Sequence, residues 1–259
     1  KEIDPKLKFS VLTVKAGPNF VDALKFLCSV PWQAVLIARS KVLVLDGQSP
    51  ILAAFPKVRR PWSVQIWHGS GSFKKFGYDA SNFSGGRSSE LLDLMNFQSG
   101  YDLVICSSKN ALQHFSSAFR VAEDRIEVFP LPHFDDFFEA GPELESDAPP
   151  GGLSRKLKIL WVPTNVKLFP GKDQGSRLAD FASQHGFAFS EVARITSRSH
   201  PGSAYLFKKV ASADIVVTDQ SSIIFEAAYA KKNVFILNPF NSIDDLVEHS
   251  YLNRLELEG

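Results

Sequence analysis

The sequence predicts an α/β fold built from two Rossmann-like units, and three observations carry that prediction. Short apolar runs alternate with helical patterns along nearly the whole chain. The runs are continuous rather than alternating apolar with polar, which suits parallel strands covered on both faces. The stretch "EAGPELESDAPPGGLSRK", residues 139–156, is rich in Pro, Gly and acidic residues and reads as a linker. After it the pattern starts again with "KLKILWVPTN". The expected domains are therefore 1–150 and a shorter 151–259.

The strand predictions run in order from "KFSVLTV", "AVLIA", "VLVLD", "SVQIWH", "LVICSS" and "IEVFP" to "KILWVP", "FAFSEVAR", "DIVVTD" and "NVFIL". Helical patterns fall at 19–29, 88–99, 108–119, 174–185, 203–212 and 221–231. At 259 residues the chain has room for two modest domains. A hydrophobic fraction of 44% and a charged fraction of 22% are ordinary for a soluble globular protein. The net charge of +1 makes no broad electrostatic case for nucleic acid, so an anion site has to be local. Cys28 and Cys106 sit in apolar runs and read as small buried hydrophobes in a reducing compartment. No apolar run approaches the roughly 20 residues of a membrane span, and no signal peptide opens the chain.

Several familiar signatures are missing. There is no G-x-G-x-x-G after the first strand and no G-x-x-x-x-G-K-[ST]. "HGSGS" does not satisfy G-x-S-x-G, and no C-x-x-C or H-E-x-x-H points to zinc. Neither a metal nor a cofactor is indicated.

Three constellations remain, each at the C-terminal end of a predicted strand, where open α/β sheets bind ligands. In "WHGSGSFKKFG", residues 67–77, His68 can take a proton near neutral pH. Gly69 and its fellow glycines let backbone N–H groups approach a ligand, and Lys74 and Lys75 add positive charge. A hydrogen-bonded strand-end histidine beside a loop is the plainer alternative. In "TSRSHPG", residues 196–202, Pro201 restricts His200 and Arg198 offers an anion partner, though taken alone the motif reads better as a polar loop. In "VVTDQSSIIFEAAYAKK" a strand ends at Thr218–Asp219, and Ser221 and Ser222 open a helix whose N–H groups suit phosphate. Glu226, one turn on, is placed to accept from a ribose. An ordinary N-cap with a surface carboxylate fits the same residues.

Taken in order, these three resemble the CDP-glycerol glycerophosphotransferase family, the primases and polymerases of teichoic acids and related capsules. "QIWHGSGSFKKFG" resembles the family's W-H-G-x-x-x-K-K-x-G, "LWVPT" its A-P-T segment ending at Thr164, and "FPLPHFDDFF" its G-x-P-R-N-D segment with Asp135. The likeness runs from about residue 35 to about 240. Asn165 stands where the family has an aromatic, His133–Phe134 replace Arg-Asn, Gln220 replaces an aromatic and Glu226 an aspartate. The chain also ends earlier than family members do.

The resemblance implies a GT-B-like pair of Rossmann-type domains facing a cleft, the second one shortened. It implies transfer of a polyol phosphate, glycerol phosphate first, from a CDP-activated donor to an acceptor hydroxyl with release of CMP. His68 would be the base, with His200 and Arg198 at the pyrophosphate or the departing CMP. Gly69, Lys74, Lys75, Thr164, Asp135, Thr218, Asp219, Ser221, Ser222 and Glu226 would bind substrate. The acceptor would be a polyol-phosphate chain or lipid-linked glycan, met in the cytoplasm at the membrane face. The basic and aromatic "KVRRPW" at 57–62 reads as a peripheral membrane contact or as a solvated loop. Two rivals stay open: a GT-B glycosyltransferase using a nucleotide sugar, and a non-catalytic relative acting as a binding or scaffold domain.

Overall fold

A computed structural model of the chain describes residues 6–13, 20–56, 59–69, 71–81, 83, 88–95, 100–132, 135, 156–163, 174–192, 203–238, 240 and 242–253. A first sheet contains β1 (Val42–Leu45), β2 (Trp62–Gln65), β3 (Leu103–Cys106) and β4 (Ile126–Val128), in the order β1-β2-β3-β4. A second contains β5 (Lys158–Val162), β6 (Ala188–Glu191), β7 (Ile215–Thr218) and β8 (Asn233–Ile236), in the order β6-β5-β7-β8. Every pairing is parallel, from Val42 opposite Trp62 in the first sheet to Thr218 opposite Ile236 in the second.

The helices among the described residues are α1 (Phe20–Arg39), α2 (Pro50–Ala54), α3 (Ser89–Met95) and α4 (Leu112–Phe119), then α5 (Gln174–Gln184), α6 (Ser203–Ser212), α7 (Ile223–Tyr229) and α8 (Ile243–Glu248). This is the predicted GT-B-like α/β architecture of two Rossmann-type sheets. Of the expected linker, only residue 156 is described.

The same device starts the central strands of both sheets. Asp102, one residue before β3, accepts from the Ser63 backbone N–H at 2.7 Å and the Ser63 hydroxyl at 2.8 Å. Asp214, one residue before β7, accepts from the Lys158 N–H at 2.8 Å. A carboxylate at the entry of one strand thus holds the entry of its neighbour, so the opposite ends stay in step. The cores lie between strands and helices. Val104, Cys106, Phe115, Phe119 and Ile126 fill the first, and Leu160, Val162, Val210, Val216, Ile223 and Ala227 the second. Burying side chains such as Phe115 or Phe119 contributes about 1.5–3 kcal/mol each.

Four expectations need correction. "KFSVLTV" forms no strand over its described residues 8–13, which are exposed; β-propensity alone gives a strand no partner. "AVLIA" lies inside α1, which continues through Pro31. The stripe Phe26, Val30, Ala34 and Ile37 explains this, since helical spacing lets all four pack on Ile51, Leu52 and Leu43. Tertiary burial there outweighs the local break that proline favours. Third, α1 has 20 residues and enough apolar character to cross a bilayer by length and composition, contrary to the reading that no run approaches that length. Its packed stripe, however, places one face on the protein. Fourth, Cys28 is exposed on α1, while Cys106 is buried as expected; both are free thiols.

Candidate active site

His68 stands three residues beyond β2 and is exposed. Its Nδ1 lies 2.8 Å from the carbonyl oxygen of Asp46, the residue following β1. A carbonyl only accepts, so Nδ1 carries a proton, and whenever the ring is neutral Nε2 is its acceptor. That tautomer is the one a general base requires.

The backbone leading to His68 is held under tension. Trp67 has φ 49°, a left-handed conformation uncommon for a bulky residue. Fully buried Gln65 holds it there, accepting from the Trp67 N–H at 2.9 Å and donating through Nε2 to the Gly47 carbonyl at 2.9 Å. The Trp67 ring lies 4.1 Å from the imidazole of His68 and stacks on Phe76 at 5.2 Å. Phe76 in turn meets Phe115 of α4 edge-on at 5.0 Å. These aromatic contacts fix both ends of the glycine-lysine loop.

Gly69 is buried and Gly71 is packed against the second unit. A Cβ built on Gly71 would lie 2.4 Å from Cζ of Phe225 in α7. Lys74 is exposed, and Lys75 is half-buried with Nζ 5.8 Å from the centre of the Phe83 ring. The loop bearing His68 and the lysines therefore touches the helix that follows β7.

At that helix, Thr218 is fully buried and its hydroxyl donates to the Val162 carbonyl at 2.8 Å, tying β7 to β5. Asp219 is buried and its carbonyl accepts from the Ser221 N–H at 2.8 Å. Ser221 is also buried, and its hydroxyl accepts from the Ile223 N–H at 3.2 Å. Ser222 takes the N-cap position of α7 without a side-chain cap bond. Glu226 is half-buried in the first turn. Asp135 is exposed. Thr164, Arg198 and His200 lie outside the described residues. Among the described residues no three His, Cys, Asp or Glu side chains gather into a metal-binding group.

Sequence reasoning did not single out a further set. Tyr251, following α8, donates its phenol to Asp79 Oδ2 at 2.7 Å and lies flat on the His114 ring, 4.2 Å away at an interplanar angle of 13°. His114 Nδ1 is 2.6 Å from the Ser72 hydroxyl. Burial first, then the bond to the Asp79 carboxylate, pushes the Tyr251 phenol well above its ordinary value. A lone Tyr outside any motif gives no signal; only its long-range contacts reveal it.

The family described as CDP-glycerol:poly(glycerophosphate) glycerophosphotransferase matches residues 24–207. The teichoic acid ribitol-phosphate primase of Bacillus spizizenii is 26% identical over 91% of this chain and 66% of its own length. The teichoic acid glycerol-phosphate primase of Bacillus subtilis is 25% identical over 77% of this chain and 56% of its own. A structure of the wall teichoic acid polymerase TagF superposes with a TM-score of 0.57 at 20% identity, covering 83% of this chain and 59% of that one. The chain thus spans less than two thirds of the length of each of these relatives.

Proposed function

The chain belongs to the CDP-glycerol:poly(glycerophosphate) glycerophosphotransferase family, and we propose that it transfers a polyol phosphate from a CDP-activated donor to an acceptor hydroxyl in teichoic acid synthesis. The observation that carries the reading is the 2.8 Å approach of His68 Nδ1 to the Asp46 carbonyl, which in the neutral ring leaves Nε2 to accept a proton beside a lysine loop. The acceptor oxygen attacks the phosphorus that carries the polyol. One P–O bond forms, the P–O bond to CMP breaks, and the hydroxyl proton passes to Nε2 of His68. Lys74 and Lys75 offset charge on the phosphoryl oxygens or bind the anionic acceptor chain. Ser221, Ser222 and the α7 N–H groups hold donor phosphate, and Glu226 the ribose. His200, with Arg198, stabilises the departing CMP, an assignment that rests on the sequence motif.

Relatives named as ribitol-phosphate and as glycerol-phosphate primases both support a polyol donor. So does a TagF structure solved as a histidine variant soaked with CDPG. The test is nucleotide release from CDP-glycerol, CDP-ribitol and a panel of nucleotide sugars, with a polyol-phosphate acceptor. CMP release from a CDP-polyol alone is expected. UDP or CDP release from a sugar donor would move the chain to the glycosyltransferases, and no release from any donor would favour a scaffold.

A membrane-proximal acceptor fits the outer face of α1. There Leu24, Leu27, Trp32 and Val35 are exposed, with Lys25 and Arg39 beside them. This reading places the protein peripherally on the cytoplasmic leaflet. Flotation with vesicles containing anionic lipid should fall sharply in a Leu27→Ser, Trp32→Ser variant; unchanged flotation would remove α1 from the contact.

A further inference from the structure

The segment after α8 reaches back to the first unit and meets the lysine loop backbone to backbone. Lys74 and Ser250 pair as a single antiparallel bridge. The Lys75 N–H donates to the His249 carbonyl at 3.1 Å, and the Tyr251 N–H to the Phe73 carbonyl at 2.8 Å. The same His249 carbonyl accepts from Nε2 of Gln220 at 2.8 Å. Gln220 lies in the turn between Asp219 and Ser221, so the turn of the second unit and the lysine loop of the first share one acceptor atom.

A carbonyl oxygen has two lone pairs, and here both are taken, one by each half of the site. Gln220 and Ser250 are 5% and 3% exposed, which shields these bonds from competing water. Tyr251 anchors the far end. Its phenol bonds to Asp79, whose other oxygen accepts from the Ser117 hydroxyl of α4 at 2.6 Å. Its ring covers His114, which is bonded to Ser72 within the loop itself.

We propose that residues His249–Tyr251 form a strut that sets the spacing between the His68 loop and the Ser221–Glu226 turn, with Gln220 and Tyr251 as positioning residues for transfer. The proposal rests on the transfer reading above. In-line displacement depends on placement at about the 1 Å level, and an error of that size costs on the order of 100-fold in rate. The strut supplies such placement without touching substrate: Gln220 acts through the His249 carbonyl and Lys75, and Tyr251 through Phe73 and Asp79.

The test uses the full chain and two variants, Gln220→Leu and Tyr251→Phe. The first removes a donor at similar volume, and the second removes one hydroxyl and keeps the ring. Amide hydrogen exchange is read over residues 71–78, and kcat and KM are read with CDP-glycerol or whichever CDP-polyol the wild type turns over. The expected result is faster exchange in the 71–78 peptide on Gln220→Leu, although the changed residue lies in the other unit. It comes with a kcat lowered about 10- to 100-fold and a KM within about threefold of wild type. Tyr251→Phe, the milder change, should move both readings in the same direction. Unchanged exchange in the loop overturns the strut, and faster exchange with normal kcat overturns its positioning role. Should the wild type transfer from no donor, the transfer reading fails by itself, and the exchange measurement still decides whether the strut holds the loop.

Discussion

Alanine at position 71 tests the junction between the two units directly. Gly71 is not in the left-handed region, so alanine brings no backbone strain. Its new Cβ would meet Phe225 at 2.4 Å from Cζ, 2.5 Å from Cε2 and 2.7 Å from Cε1. Ordinary carbon contacts lie near ~3.5 Å, so loop and ring must part by about 1 Å. Overpacking of this kind costs about 1–3 kcal/mol. At about 2–4 °C per kcal/mol for a chain of this size, Tm should drop by several degrees. The same displacement moves the His68 loop relative to α7 and should lower kcat by about 100-fold. The assay pairs thermal unfolding with CMP release in Gly71→Ala, Phe225→Leu and the double variant. Leucine removes the ring atoms that collide, so the double variant should recover part of both losses and show a coupling of at least about 1 kcal/mol. A Gly71→Ala protein with unchanged Tm and turnover, or a double variant no better than the sum of the singles, would refute the contact and the magnitude drawn from it.

Other substitutions probe the site from different sides. His68→Ala and His200→Ala should each lower transfer about 10²–10⁴-fold with an unchanged circular dichroism spectrum, and near-normal turnover in either would remove that histidine from the chemistry. Gln65→Leu orphans the Trp67 N–H and the Gly47 carbonyl, so urea unfolding should report a loss of about 1–3 kcal/mol per group. Trp67 would then relax from its left-handed conformation and carry His68 with it, lowering kcat as well. Tyr251 predicts a pH effect of definite sign. Its folded phenol keeps its proton beyond the ordinary value of 10.0, whereas the unfolded chain releases it there. Its contribution is therefore complete below pH 10 and declines above it, by up to about 1.4 kcal/mol per pH unit. Unfolding of the wild type at pH 9 and 11 should show a steeper loss than Tyr251→Phe; parallel losses would disprove the assignment.

The sequence made the sheets legible because strands of parallel sheets are short apolar runs, and each run from "VLVLD" to "NVFIL" contains one, although the outer strands β1 and β8 alternate exposed with half-buried residues. It misled at 34–38, where "AVLIA" carries strand-like composition. Only the spacing from Phe26 to Ile37, read across Pro31, shows the helix. His68, Lys74 and Lys75 stood out as candidates because glycines and charges gather there at a strand end. The carbonyl of Asp46 was not, because a backbone acceptor leaves no mark in residue identity. Gln65 reads in sequence as an interruption of an apolar run, yet its amide fixes the turn that aims His68. Tyr251, His114 and Asp79 come together across a separation of up to 172 residues, beyond the reach of any local pattern.

That separation has a consequence in time. Residues 68–79 leave the ribosome long before residues 249–251, and at roughly 5–20 residues per second the interval is on the order of 10 s or more. Throughout it, the first sheet can fold around Phe115 and Phe119 while Asp79 and the Phe73 carbonyl wait for Tyr251. The early half of the chain therefore matures in two stages, core first and loop last. A nascent or C-terminally trimmed chain would hold a folded sheet with an unlatched His68 loop.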